Sequence, residues 1–160
     1  MNNTINSMIR STIITGLAFI AFIPLYVSGS LFFPFITGKA FVFRILVEII
    51  FALWLILILR EKGTSVANTS KSVIPRMSTM NVLVTVFTLI ILIADLSGLN
   101  LLRSLWSNFE RMEGWMIIAH LWGYFIVTTS ILNTKENWHN FFNVILVAAT
   151  ITGIYGLFQF

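Results

Sequence analysis

The sequence predicts an all-α fold, a polytopic transmembrane bundle of about five spanning helices. Hydrophobic residues make up 58% of the 160 residues and charged residues only 10%, whereas a soluble domain is about a quarter charged. The apolar residues fall into five runs, each close to the roughly 20 residues that a helix needs to cross a bilayer. These runs are continuous and lack the alternation of barrel strands, which favours helices over a transmembrane barrel.

Each apolar run is bounded by glycine, proline, asparagine or a charged residue, and these breaks predict the helix ends. The five runs cover more than half of the sequence, and residues 1–160 are predicted to form a single bundle. The five predicted helices are 10–28, 41–60, 80–97, 114–132 and 139–158, and the longer connections between them are 29–40, 61–79 and 98–113.

The two ends of the sequence raise the question of processing. The first run could be a cleaved signal peptide, because Arg10 precedes it and the small residues Ser28 to Ser30 follow it. Pro24 interrupts that run and the segment before it is weakly basic, so a first spanning helix is the simpler interpretation. The last run reaches Phe160 without a charged flank or a soluble tail, and we therefore expect a longer protein of which this chain is the N-terminal part.

Basic residues predict the orientation of the bundle, because loops on the cytoplasmic side of a membrane carry an excess of lysine and arginine. The densest basic cluster surrounds the 61–79 connection, which is therefore expected in the cytoplasm together with the N-terminus. Connections 29–40 and 98–113 are then expected on the outer face. Six basic residues fall on the inner side, Arg10, Arg60, Lys62, Lys71, Arg76 and Lys135, against four on the outer side, Lys39, Arg44, Arg103 and Arg111.

Composition also excludes several classes of function. A net charge of +4 would suggest a nucleic-acid partner in a soluble protein, but here the basic residues are spread between apolar runs, so we predict the lipid bilayer as partner and no nucleic acid. The sequence has no cysteine, which rules out disulfides, thiolate metal sites and a cysteine nucleophile. No phosphate-binding glycine loop, zinc-protease motif, calcium loop or Ser/His/Asp arrangement is present. No metal or cofactor is predicted, and no catalytic residue is assigned.

The outer segment Asp95–Gly114 is rich in charge, with two arginines, two glutamates and an aspartate. Arginine presents a planar fork of donors that matches phosphate oxygens, so Arg103 and Arg111 are candidates for holding a lipid diphosphate at the membrane surface. Glu110 and Glu113 flank Arg111 and could orient it, or one of them could act as a general base. The alternative is a solvated loop whose surface ion pairs contribute little.

Arg44 and Glu48 are charged residues within the predicted second helix. They are four positions apart, so they share a helix face and can pair. Charges in a spanning helix are expected to face the bundle or a water-filled cavity, which makes Arg44 a further candidate for substrate binding. An intrahelical pair near the interface, with Arg44 extending toward the headgroups, is the alternative.

The fourth predicted helix places Glu113, Ile117, His120 and Tyr124 at steps of four, three and four residues. Its polar groups therefore share one face, as is typical of a helix beside a cavity. His120 is a substrate-binding candidate on this ground. A structural histidine, bonded to a carbonyl or to a neighbouring helix, remains the alternative.

Four sequence blocks, in this order, resemble the N-terminal region of the O-antigen ligase family of membrane glycosyltransferases. They span most of residues 31–125 and have moderate specificity. The blocks are FFPFITGKAFVFRILVE (Phe32–Glu48), IADLSGLN (Ile93–Asn100), SLWSNFERMEGW (Ser104–Trp115) and AHLWGYF (Ala119–Phe125).

The resemblance implies a multi-pass protein of the bacterial inner membrane that acts in cell-surface polysaccharide or lipopolysaccharide synthesis. Members of the family are metal-independent and take a glycan from an undecaprenyl-diphosphate carrier on the outer side. Ligases pass it to a lipid acceptor, polymerases extend a glycan, and other members glycosylate proteins. The resemblance implies arginines for the diphosphate, which suits Arg103 and Arg111.

The resemblance also implies a histidine base in a large outer loop further along than residue 160. No catalytic base is therefore carried over to His120, and we expect this fragment to be inactive alone. The alternative function is non-enzymatic, a transporter fragment or a scaffold subunit whose outer charges only set the topology.

Overall fold

The computed structural model describes residues 2–27, 36–62, 78–107 and 113–158. These residues form six α-helices and one short 3-10 helix, and no strand occurs among them, which confirms the predicted all-α class. The helices are α1 (Asn2–Ile20), α2 (Thr37–Lys62), α3 (Thr79–Leu96), α4 (Leu101–Trp106), α5 (Trp115–Ile131) and α6 (Lys135–Phe158), and the 3-10 helix covers Ile23–Leu25.

Three helices in the described part of the chain, α2, α3 and α6, are long and apolar enough to cross a membrane. Their apolar segments are 25, 18 and 24 residues long, and a span needs roughly 17 to 25. Apolar segments of α1 and α5 are shorter, at Thr4–Ile20 and Trp115–Ile131. The described chain is thus helical and apolar, as a membrane protein is.

The first helix differs most from its predicted bounds of 10–28, because it begins at Asn2 and ends at Ile20. Pro24 accounts for the early end: proline lacks the N–H that continues a helix and restricts the residue before it, and the chain turns there into the 3-10 helix. The early start places Asn6 within α1, where its Oδ1 accepts a hydrogen bond from Arg60 Nε at 2.9 Å.

The connections differ in length from the predicted ones or carry structure of their own. Helix α2 begins at Thr37, inside the predicted connection 29–40, and α6 begins at Lys135 rather than at 139. Helix α4 lies within the predicted connection 98–113. Its six residues are too few for a periodic pattern to reveal them in the sequence. The central parts of the three connections, 28–35, 63–77 and 108–112, lie outside the described residues.

The core of the described bundle is built on α1 and α2, with α5 and α6 packed against them. Each helix contributes an apolar stripe at the three- and four-residue steps that share a helix face. A side-chain β-carbon at Gly16 of α1 would lie 3.0 Å from Ile50 Cδ1 of α2, so the two helices approach closely there. The buried stripes are Ile13, Leu17 and Ile20 in α1, Ile50, Trp54 and Leu57 in α2, Ile126, Val127 and Ile131 in α5, and Phe141 in α6.

Arg10 links α1 to the end of α5. Its Nη2 atom donates to the backbone oxygen of Ile131 at 2.9 Å and to Asn133 Oδ1 at 3.0 Å. The last carbonyls of a helix lack hydrogen-bond donors within the helix and carry partial negative charge. A guanidinium supplies both a donor and a positive charge. Together with the Asn6–Arg60 bond, this contact places the start of α1, the end of α2 and the end of α5 at one end of the bundle.

We expect Gly16→Leu to lower the free energy of unfolding by about 1–3 kcal/mol, because the added side chain must push Ile50 and α2 away. The measurement is SDS-induced unfolding of the purified protein, followed by circular dichroism. Gly153→Leu on α6 is the matched control, since nothing in the described chain lies within 4 Å of its β-carbon position. Equal stability of the two variants would show that α1 and α2 do not pack closely at Gly16.

Candidate functional site

A cavity of about 330 Å³ lies between α2, α3 and α5. Its volume falls at the lower end of the range of small-molecule sites, which are mostly apolar with a few polar groups. The lining residues are Val47, Glu48 and Phe51 from α2, Thr85, Thr88, Leu89 and Leu92 from α3, and Trp115, Ala119, His120, Trp122 and Gly123 from α5.

Polar atoms of the α3 wall are already used in hydrogen bonds. The hydroxyls of Thr85 and Thr88 each donate to the carbonyl four residues earlier, at 2.7 and 2.9 Å. Trp122 Nε1 donates to Thr85 Oγ1 at 3.0 Å, and Trp115 Nε1 donates to the Thr88 carbonyl at 3.3 Å. These two indole bonds tie α3 to α5, and the threonines present mainly apolar surface to the cavity.

Gly123 lies where α5 approaches α2. A β-carbon there would lie 3.5 Å from Phe51 Cδ2 and 3.8 Å from Val47 Cγ1, so a larger side chain would meet both residues. Small residues allow the close approach on which helix packing in membranes depends. Because α2 and α5 meet here, His120, three residues earlier on α5, comes within reach of Glu48.

His120 joins the two helices through both ring nitrogens. Nε2 lies 3.1 Å from Glu48 Oε1, and Nδ1 lies 2.6 Å from the backbone oxygen of Met116. The His120 side chain is only 11% exposed, whereas that of Glu48 is 66% exposed. Of the four residues on the predicted face, only His120 lines the cavity, and its ring bonds both a carbonyl and a neighbouring helix.

Arg44 lies one turn before Glu48 on α2 and is 7% exposed. Its Nε donates to the Ala40 carbonyl at 3.2 Å, and its guanidinium carbon lies 4.9 Å from the centre of the Phe41 ring. The charge of Glu48 acts on Arg44, and Glu48 also bonds His120 on α5. The sequence pattern predicted a local Arg44–Glu48 contact and missed the one with His120, because 72 residues separate the two positions.

The outer candidates are placed only in part. Arg103 is exposed on α4 and Glu113 is exposed just before α5, while Glu110 and Arg111 lie outside the described residues. Neither Arg103 nor Glu113 lines the cavity. The structure brings together His120 and Glu48, with Arg44 one turn away, and leaves Arg103 on the surface.

Helix α4 packs directly against the start of α5. A β-carbon at Gly114 would lie 2.5 Å from the carbonyl oxygens of both Ser104 and Leu105. Helix α4 ends at Trp106. The next residue, Ser107, has a φ of 61°, in the left-handed region that few residues other than glycine adopt. Arg103 is thereby carried on a short helix that is attached to the same helix as His120.

No protein-family model, curated protein or solved structure is detectably similar to this chain. The resemblance to O-antigen ligases therefore rests on the four sequence blocks alone. The cavity and the charged residues near it provide the independent basis for assigning a function.

We expect Gly114→Ala to separate α4 from α5, because the new methyl group would overlap backbone atoms that cannot rotate away. Spin labels on Leu102 of α4 and Leu121 of α5, both exposed, report the separation by pulsed electron resonance. The distance distribution should lengthen and broaden. Gly156→Ala is the control, since its position is open, and an unchanged distribution in Gly114→Ala would contradict the packing.

Proposed function

We propose that the chain works as part of a membrane glycosyltransferase that takes a glycan from undecaprenyl diphosphate, as the resemblance to O-antigen ligases implies. The cavity between α2, α3 and α5 is the observation that carries the proposal. Its walls are mainly apolar on all three helices, which suits part of an isoprenoid chain, because ligand pockets are lined mostly by apolar side chains with a few polar groups.

Arginines supply the complementary charge for the carrier's diphosphate. Arg103 is exposed on α4, and α4 is fixed to the first residues of α5 through Gly114. Arginine holds two phosphate oxygens at once and keeps its charge at any relevant pH. In this proposal Arg103, with Arg111 in the same outer segment, binds the diphosphate, and the glycan passes to a lipid or glycan acceptor.

The proposed orientation has five spans in the bacterial inner membrane, with α1 and α5 added to α2, α3 and α6. An alternating path with a cytoplasmic N-terminus requires the start of α1, the end of α2 and the end of α5 to lie on one side. The Arg60–Asn6 and Arg10–Ile131 bonds join these three ends, which supports that path.

A second candidate function is a transporter or another non-enzymatic membrane component. Glu48 is part of α2. At a rise of 1.5 Å per residue, it lies about 16 Å along the helix from Thr37 and about 21 Å from Lys62, so it is near the middle of the helix. Binding sites of secondary transporters lie near the middle of the membrane, and ionisable residues there mark ion pathways. The Glu48–His120 pair is the observation that favours this alternative.

Binding of undecaprenyl diphosphate in nanodiscs distinguishes the two candidates. Arg103→Gln should weaken binding roughly tenfold to a hundredfold, because a charged hydrogen bond contributes about 1.5–3 kcal/mol. Arg103→Lys should recover only part of the loss, since a point charge cannot bind in a fork. Lys135→Gln removes an exposed charge at the start of α6 and is the control. Equal binding by all three variants would show that Arg103 does not bind the diphosphate.

Single cysteines test the orientation, because the chain has none of its own. Thr4, Leu99 and Thr134 are exposed, and each is replaced by cysteine in turn. A membrane-impermeant maleimide applied to the outer face should label Leu99→Cys alone, while the other two should react only after permeabilisation. Labelling of Leu99→Cys and Thr134→Cys from the same side would exclude the five-span path.

A further inference from the structure

Glu48 and His120 form an ionisable pair between two apolar helices. Helix α2 provides the carboxylate and α5 the imidazole, with 3.1 Å between Oε1 and Nε2. Both residues line the cavity. An unpaired charge at such a position costs several kcal/mol in a membrane, and such residues are usually paired or face water.

The position of one proton follows from the partner of the other ring nitrogen. A backbone carbonyl can only accept a hydrogen bond, so His120 Nδ1, 2.6 Å from the Met116 oxygen, carries a proton and donates it. The Nδ1 proton is thus held within α5. Nε2 and Glu48 Oε1 then form a hydrogen bond only if one further proton lies between them.

We infer that Glu48 and His120 form a proton-binding site, which holds one proton between Nε2 and Oε1 and thereby fastens α2 to α5 beside the cavity. The bound state is either an imidazolium with a carboxylate or a neutral imidazole with a carboxylic acid. Both have the same number of protons and the same net charge. The inference requires neither a glycan nor a lipid carrier.

Release of the proton turns the attraction between Nε2 and Oε1 into repulsion. The proton leaves through the cavity, which Glu48 and His120 both line. The Nε2 lone pair and the carboxylate oxygen then face each other as two acceptors and repel. The polar bond between the cavity-facing surfaces of α2 and α5 is lost, and the side of the cavity formed by these residues can widen.

Other charged groups near the pair are few in the described part of the chain. On α2, Arg44 lies one turn away and attracts Glu48 whenever that residue is a carboxylate. On α5, Tyr124 lies one turn beyond His120, with its ring 6.1 Å from that of Phe43. The cavity-facing residues of α3 are threonines and leucines, so α3 presents no titratable side chain to the pair.

Nitrogen-15 and carbon-13 spectra of the reconstituted, unmodified protein test the site without a variant. The two histidines, His120 and His139, differ in that His139 is exposed. We expect Nδ1 of His120 to stay protonated at every pH, while its Nε2 and the Glu48 carboxyl carbon change together in one transition. Titration of His120 independently of Glu48, or a proton on Nε2 with Nδ1 bare, would overturn the inference.

Cysteine labelling measures the coupling to the cavity. The reagent is an uncharged maleimide. Ala119→Cys places the reacting thiol in the lining of the cavity. Ala149→Cys is exposed on α6, and its labelling rate corrects for the pH dependence of the reaction itself. The corrected rate at Ala119→Cys should rise several-fold as the pH increases through the transition.

Two variants of Glu48 should abolish this rise in opposite ways. Glu48→Gln should keep the rate low at every pH, because its amide N–H donates to the bare Nε2 without a shared proton. Glu48→Ala should keep the rate high at every pH. A pH dependence in Glu48→Gln equal to that of the unmodified pair would show that cavity access does not depend on this proton.

Discussion

The contact of α5 with α2 at Gly123 determines the arrangement of the site. Apolar helices gain little from burying apolar surface against each other in lipid, so their association depends on close packing and on a few polar bonds. A β-carbon added at Gly123 would lie at ordinary van der Waals distance from Phe51 and Val47, so the two helices are close at this point. His120 then reaches Glu48, and the space that remains beside this contact, in front of α3, is the cavity.

Polar bonds beside the cavity and at the end of α5 connect the helices of the described bundle. The indoles of Trp115 and Trp122 attach α3 to α5, and Arg10 attaches α1 to the last turn of α5. Helix α5 therefore takes part in bonds with α1, α2 and α3. Its 17 residues make it shorter than the candidate spans, yet it is the helix on which the contacts around the cavity converge.

Helical class and approximate helix positions were predictable from the sequence because apolar runs of span length permit few other structures. The contacts were not predictable, because Glu48 with His120 and Arg10 with Ile131 join positions far apart in the chain. Local spacing paired Glu48 with Arg44, its neighbour on the same face. The pattern placed His120 beside a cavity, and the structure has it there, but Ile117 and Tyr124 of the same predicted face do not line the cavity. Glu110 and Arg111 remain predictions.

The bond between Arg10 and the Ile131 carbonyl spans 121 residues, and this separation affects biogenesis. Ribosomes add roughly 5–20 residues per second, so about 6 to 24 s pass between synthesis of the two partners. During this interval α1 already exists, but its bond to α5 cannot form. The first helix therefore reaches its final packing only after α5 has been synthesised, and closure of the bundle is a late event in its assembly.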